Sequence, residues 1–166
     1  MAYAVVRTDN MAGTDVRSQL VSVEYMGANG ATETAIENGN VLLLNGLKQG
    51  EREIFKGAAV AADSAIEDVV LVASPELMYD ERDITLDKFI NKAGQPARGY
   101  HFHSGDTFSV TAEAFSGTPA VGNIVELAAG TKLATAASAT EGSTQVGKII
   151  ASDVAGAYTY YCVKVN

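Results

Sequence analysis

The stretch that decides the fold is residues 100–127, which reads YHFHSGDTFSVTAEAFSGTPAVGNIVEL. Between residues 107 and 114 the even positions are apolar and the odd positions are polar. This alternation is typical of a half-buried strand. The cluster at residues 116–119 ends it, because Pro119 has no N–H to donate to a sheet. A further strand is predicted over residues 121–127, so the stretch indicates a β-rich core.

Length and composition indicate one domain with a core, or a principal domain with a small appendage. The chain has 166 residues, of which 47% are hydrophobic and 19% charged, which is enough apolar material for a core. We predict three parts. Residues 1–12 form an N-terminal arm, residues 13–115 a mixed, mainly β domain, and residues 116–166 a C-terminal β subdomain packed on it.

Further strands are predicted on both sides of the central stretch. Residues 69–73 are a continuous apolar run, long enough for a buried strand and too short for a helix core. Residues 158–165 alternate again. Short strands must hide their edges by closing or by pairing. The predicted fold class is therefore mainly β, a small antiparallel β-barrel or sandwich with one or two short helices and an extended N-terminal arm.

The best helix is predicted over residues 85–93. Its apolar side chains recur at helical spacing, Thr85 can cap its start and Gly94 can end it. The pair Ser74-Pro75 is a second helix start, followed by at most one turn. The apolar side chains of the longer helix are Leu86, Phe89, Ile90 and Ala93.

Charge and cysteine content exclude several function classes. Twelve basic residues stand against twenty acidic ones, with a net charge of −8 and no basic block, so we expect no nucleic-acid ligand. No segment approaches the length of a membrane span, and the N-terminus lacks a signal-peptide pattern, so we expect cytoplasmic synthesis and no membrane partner. The lone Cys162 excludes an intramolecular disulfide.

Candidate reactive groups are few. His101 and His103 lie two residues apart and could bind a metal if a third ligand came from elsewhere. We interpret them chiefly as an exposed or interface-lining polar face, and we predict no metal and no cofactor. The sequence contains no Gly-x-Ser-x-Gly elbow and no phosphate-binding glycine loop. We therefore predict no catalytic residues and no enzymatic activity.

The chain from residue 105 onward carries a family resemblance. The segments GDTFSVTAEAF, PAVGNIVEL, AGTKLATAAS, TQVGKIIASD and YTYYCVKVN follow one another in that order. This layout resembles the small β-domains of tailed-bacteriophage capsid decoration proteins, also called cement or head-stabilising proteins. The resemblance implies a virion protein, assembled in the host cytoplasm, that binds the capsid surface. Its implied partner is the major capsid protein, and its implied state is a homo-oligomer, with a trimer as one candidate.

The resemblance also suggests how contacts form. We expect the arm around Tyr3, Val5 and Val6 to add a strand to an exposed coat edge. We expect Tyr158 and Tyr160 to serve as exposed aromatic anchors. Two alternatives stay open: another virion component, such as a head fibre or tail-tube subunit, and a carbohydrate-binding β-sandwich. The second is weakened by the absence of tryptophan, which stacks most strongly.

Overall fold

The computed structural model describes residues 2–10, 19–78 and 85–166. The fold is mainly β, with 44% of the described residues in strands and 7% in helices shorter than seven residues, which confirms the predicted fold class. The strands of the described residues form a closed barrel and a six-stranded sheet. They are β1 Val6–Asn10, β2 Leu20–Tyr25, β3 Val41–Leu47, β4 Ile54–Ala58, β5 Val69–Val72, β6 Ala97–His101, β7 Thr107–Val110, β8 Ile124–Glu126, β9 Ala134–Ala136, β10 Gln145–Ala155 and β11 Tyr158–Val165.

The barrel contains five strands in the order β2-β4-β3-β5-β6. Its pairs are antiparallel except β2 and β4, which run parallel and depart from the predicted antiparallel arrangement. The interior is narrow. A Cβ placed on Gly57 would lie 2.8 Å from side-chain atoms of both Leu42 and Val23. Glycine is therefore needed there for two apolar side chains to meet across the barrel.

The six-stranded sheet has the order β1-β7-β11-β10-β8-β9 and packs against the outside of the barrel. Strand β5 connects the two layers because it is buried on both faces, as the apolar run predicted. Val69 and Leu71 join the core shared with the sheet, whereas Val70 and Val72 line the barrel. The sheet contributes Phe108 and other apolar side chains to the shared core.

The predicted division of the chain is wrong in two places. Strand β7 pairs with β11, so the sheet of the C-terminal strands begins before residue 116. The predicted arm is part of the same sheet, because β1 pairs with β7 and both Ala4 and Val5 are buried. Residues 11 and 12 lie outside the described residues. One core joins both layers, so the chain does not separate at 115/116.

The helix predicted over residues 85–93 is also wrong. Only Leu86–Lys88 forms a 3-10 helix, and Thr85 makes no capping hydrogen bond. Asn91 instead bridges to Ile36 of the barrel, with backbone N–H to carbonyl distances of 3.0 Å in both directions. Ser74 starts no helix either, since its hydroxyl accepts the Arg98 N–H at 2.9 Å. No helix among the described residues has the length and apolar character needed to cross a membrane.

Asn38 holds three segments together beneath the surface. Its side chain is 1% exposed. The Nδ2 donates to the carbonyl of Ser74 at 2.8 Å, and Oδ1 accepts from the Ser74 N–H and from Asn91 Nδ2, both at 3.0 Å. This one amide therefore ties the turn before β3 to the segment after β5 and to the bridge at Asn91.

We expect Asn38→Ala to lower the free energy of unfolding by about 2 kcal/mol, because it leaves buried backbone and amide groups without partners. Asn29→Ala is the control. Asn29 bonds only groups in its own exposed turn, and its loss should cost less than about 1 kcal/mol. Denaturant unfolding of both variants measures the difference. Equal losses would contradict the role given to Asn38.

Candidate protein-binding surface

Strands β10 and β11 form a hairpin that is longer than the sheet around it. Strand β10 pairs with β8 only up to Lys148, and β11 pairs with β7 only from Tyr161 onward. In the described part of the chain, residues 151–155 pair with β11 alone. Gly156 turns the hairpin with a φ of 63°, a conformation that favours glycine. We call residues 150–160 the hairpin tip.

The hairpin tip offers an extended surface instead of a pocket. Every residue from 150 to 157 is exposed, including two large apolar side chains, Ile150 at 48% and Val154 at 72%. The outer edge of a terminal strand also presents N–H and C=O groups in a row. Exposed apolar groups beside an unpaired strand edge are suited to another protein, which can cover the side chains and extend the sheet.

Asp87 fixes the base of the hairpin tip. The hydroxyl of Tyr158 donates to Asp87 Oδ1 at 3.0 Å. The backbone N–H of Tyr3 donates to the Asp87 carbonyl at 2.9 Å. The segment that contains Leu86–Lys88 therefore connects the N-terminal segment to the hairpin, and the three come from distant parts of the sequence.

Arg7 makes the second contact with the hairpin tip. Its guanidinium carbon lies 4.8 Å from the centre of the Tyr160 ring, a cation–π distance, and its Nη1 lies 3.5 Å from Asp153 Oδ2. The rings of Tyr158 and Tyr160 are 6.3 Å apart and tilted. Arg7 therefore contacts both strands of the tip. It lies over the Tyr160 ring of β11 and pairs with the Asp153 carboxylate of β10.

The contact between Asp87 and Tyr158 shifts the pKa values of both side chains. Hydrogen bonds from Thr85 and from Tyr158 lower the pKa of Asp87. Partial burial and the bond to Asp87 raise the pKa of Tyr158 above its ordinary value of 10.0. Because folding lowers the pKa of Asp87, this carboxylate stabilises the fold at pH values above its pKa in the unfolded chain. The contribution is lost as the pH falls through its lower pKa in the folded protein. Because folding raises the pKa of Tyr158, its neutral hydroxyl stabilises the fold at pH values below 10.0. The contribution is lost as the pH rises through its higher pKa in the folded protein.

We expect Asp87→Asn to lower the pKa of Tyr158, because the phenolate would no longer form beside a carboxylate. The phenolate absorbance followed against pH measures it, with Tyr158→Phe identifying which titration step belongs to Tyr158. Asp153→Asn is the matched control, since Asp153 contacts Arg7 and should leave the pKa of Tyr158 unchanged. An unaltered titration in Asp87→Asn would contradict the assigned contact.

The residues predicted to contact a partner do not form one exposed surface. Val5 is 2% exposed and Val6 packs against the shared core, so neither is free to add a strand as an arm. Tyr160 is 6% exposed beneath Arg7, which corrects its prediction as an exposed anchor. Tyr158 and Tyr3 are half-buried and meet at Asp87. The tyrosines therefore shape the base of the hairpin tip.

The two histidines do not converge on a metal site. His101 Nδ1 lies 3.1 Å from the carbonyl of Glu67. His103 forms a turn with Asp106, whose Oδ2 accepts the His103 N–H at 3.2 Å and lies 3.9 Å from Nδ1. Within the described ranges, no three His, Cys, Asp or Glu side chains group as metal ligands. Cys162 is a half-buried free thiol.

Sequence reasoning missed Arg7, Asp87 and Asp153. No local pattern marks them, because Asp87 lies 71 positions from Tyr158 and the contact arises only from the tertiary fold. The hairpin itself was detectable from the period-2 pattern of residues 158–165 and from Gly156. Its length was not, since residues 151–155 carry no strict alternation of apolar and polar side chains.

A depression of about 410 Å³ lies on the barrel side, beside Pro75, Pro96 and Arg98. One of the two serines in its wall, Ser74, accepts a backbone hydrogen bond from Arg98 and has a structural role there. Comparison with protein-family models, with curated proteins and with solved structures finds no match. The hairpin tip is thus the surface whose geometry points most directly to a function.

Proposed function

We propose that this chain is a virion structural protein that binds the outer surface of a phage capsid and stabilises the coat lattice by bridging subunits. The partner would be the major capsid protein, and binding would take place on particles assembled in the host cytoplasm. The protein would act as a homo-oligomer, with a trimer as one candidate, and without enzymatic activity, a cofactor or a nucleic-acid ligand.

The observation that carries the proposal is the exposed hairpin tip. It is held in place at its base by Asp87 and Arg7, and it extends apolar side chains and a strand edge beyond the sheet. A rigid projection of this kind loses little conformational freedom on binding. Repetition around a symmetric particle lets many weak contacts add up. The layout from residue 105 onward supports the same class of protein.

One alternative virion role is favoured by the same hairpin. Head fibres or tail tubes assemble from copies of one subunit, and an unpaired strand edge can join such copies. Because Asp153 is paired with Arg7, its charge does not prevent the pairing of two identical edges. Carbohydrate binding is favoured less, because Tyr160 is covered by Arg7 and Tyr158 is held by Asp87.

The experiment is co-sedimentation of the purified protein with phage particles that lack it. We expect saturable binding at a fixed number of copies per coat subunit, together with greater resistance of the particles to heat. Binding to the DNA alone, measured in parallel, should be absent. A protein that ignores the particles, or that forms tubes or spikes without them, would contradict the proposal.

A further inference from the structure

We propose that Lys148 and Lys164 form a binding site for an acidic, partly apolar segment of the coat protein, which rests on the proposed function for the identity of the partner. The two lysines are cross-strand partners on β10 and β11. Both are exposed. In the part of the chain that the structure describes, neither side chain forms an ion pair or a hydrogen bond.

The placement of the lysines costs stability. Like charges directly opposite on neighbouring strands repel each other. The chain has twenty acidic residues, yet none of those described is paired with either lysine. Across the neighbouring strands the same row continues with Thr107 and Ile124, which are uncharged. The result is a local positive patch on a protein of net charge −8.

The backbone around Lys148 is irregular on both sides. The pairing of β10 with β8 shifts between Gln145 and Gly147, and its pairing with β11 shifts between Ile149 and Ala151. Such irregularities reorient a side chain relative to the sheet and occur often beside functional sites. Lys148 lies between the two shifts and is opposite Lys164 in the register.

A depression of about 400 Å³ lies beside the lysines. Its wall combines the two charged side chains with apolar ones and with the turn at residues 103–106, whose Gly105 N–H donates to the Val165 carbonyl of β11 at 3.1 Å. This volume accommodates a few residues of a peptide. The lining residues are Ser104, Gly105, Ile150, Val165 and Asn166, with Lys148 and Lys164.

The chemistry of the patch selects a carboxylate segment. Two ammonium groups side by side can each donate to a carboxylate, and Ile150, which is 48% exposed, can pack against an adjoining apolar side chain. Nucleic acid fits less well, because binding to a phosphate backbone needs many cations and the whole chain is acidic. Because Ile150 also belongs to the hairpin tip, one coat segment can contact both surfaces.

The test uses the full chain and two peptides, acetylated and amidated, with the sequences LEEL and LQQL. In amide NMR spectra, we expect LEEL to shift the signals of Gly105, Lys148 and Lys164, and LQQL to leave them unchanged. Lys148→Glu should weaken LEEL binding at least about tenfold. The same variant should raise Tm by about 1 to 2 °C, since it places opposite charges across the strands. If Lys148 had a purely structural role, its replacement would not weaken peptide binding while raising Tm.

Particle binding separates this inference from the proposed function. Carbodiimide treatment of protein bound to particles should join Lys148 or Lys164 to a coat carboxylate. If the protein binds particles but LEEL and LQQL behave alike, the lysine site is overturned and the proposed function stands. If LEEL binds while particles do not, the site is supported and the proposed function is overturned. Stronger shifts at these lysines from a short duplex DNA would overturn the acidic segment as ligand.

Discussion

Replacing Gly147 by alanine is expected to lower the free energy of unfolding by more than about 3 kcal/mol, the largest loss of stability among the changes considered. A Cβ at this position would overlap the backbone carbonyl oxygen of Lys164 and lie 2.8 Å from its carbonyl carbon. Backbone atoms of a paired strand cannot rotate away as a side chain can. The two central strands of the sheet would have to separate.

Denaturant unfolding of Gly147→Ala measures this loss, with Gly142→Ala as the control. Gly142 has a φ of 81° and no atom within 4 Å of an added Cβ, so only the backbone conformation resists alanine there. That conformation costs about 1 kcal/mol. A loss for Gly147→Ala as small as the control would mean that β10 and β11 are not paired at this register.

Gly147 also connects the fold to the proposed lysine site. The residue precedes Lys148 and lies at the first irregularity of β10, where the strand comes unusually close to β11. Adding a methyl group would change the register that places Lys148 opposite Lys164. Partial unfolding should therefore remove binding of the acidic peptide together with the native NMR spectrum.

Strict alternation was enough to locate β7, although the strand is not half-buried as predicted. Phe108 and Val110 are buried, but Ser109 on the other face is buried as well. The prediction extended that strand too far, because Thr111 accepts the Val5 N–H on its side chain and begins a 3-10 helix. The continuous apolar run was also sufficient to predict β5, because a strand that is buried on both faces needs no alternation of apolar and polar residues.

The helix over residues 85–93 failed for a physical reason. Four apolar residues at helical spacing also suit an irregular segment that docks at several points, and a helix this short is not stable alone. Asn91 gains more by bonding Ile36 and Asn38 in a buried site than by closing a last helical turn. Local periodicity carries no information about such distant partners.

The candidate site was predictable only in part. Tyr158 and Tyr160 were singled out from the face that they share on β11, and the structure places them together. Their roles depend on Arg7 and Asp87, which come from other parts of the chain. The lysine pair depends on the register of β10 against β11, and irregular pairing cannot be deduced from alternation alone.

The second large effect concerns binding. We expect Val154→Asp to weaken binding to particles at least about 30-fold while leaving the thermal stability nearly unchanged. Val154 is 72% exposed and lies on the strand edge of the hairpin tip, so its replacement removes no contact of the folded core. In a complex the new carboxylate would be buried against the partner, and an unpaired charge in such a place is costly. Co-sedimentation with particles over a range of concentrations measures the change.

Leu77→Asp is the matched control, because Leu77 is an apolar side chain of similar exposure, 69%, in the segment after β5 and not in the hairpin tip. It should bind particles as the unmodified protein does. If both substitutions weaken binding equally, general charge repulsion explains the loss, since the chain already carries a net charge of −8. If Val154→Asp binds normally, the hairpin tip is not the contact surface. A loss confined to Val154→Asp places the contact on the hairpin tip, whose base is bonded to Asp87 and contacted by Arg7.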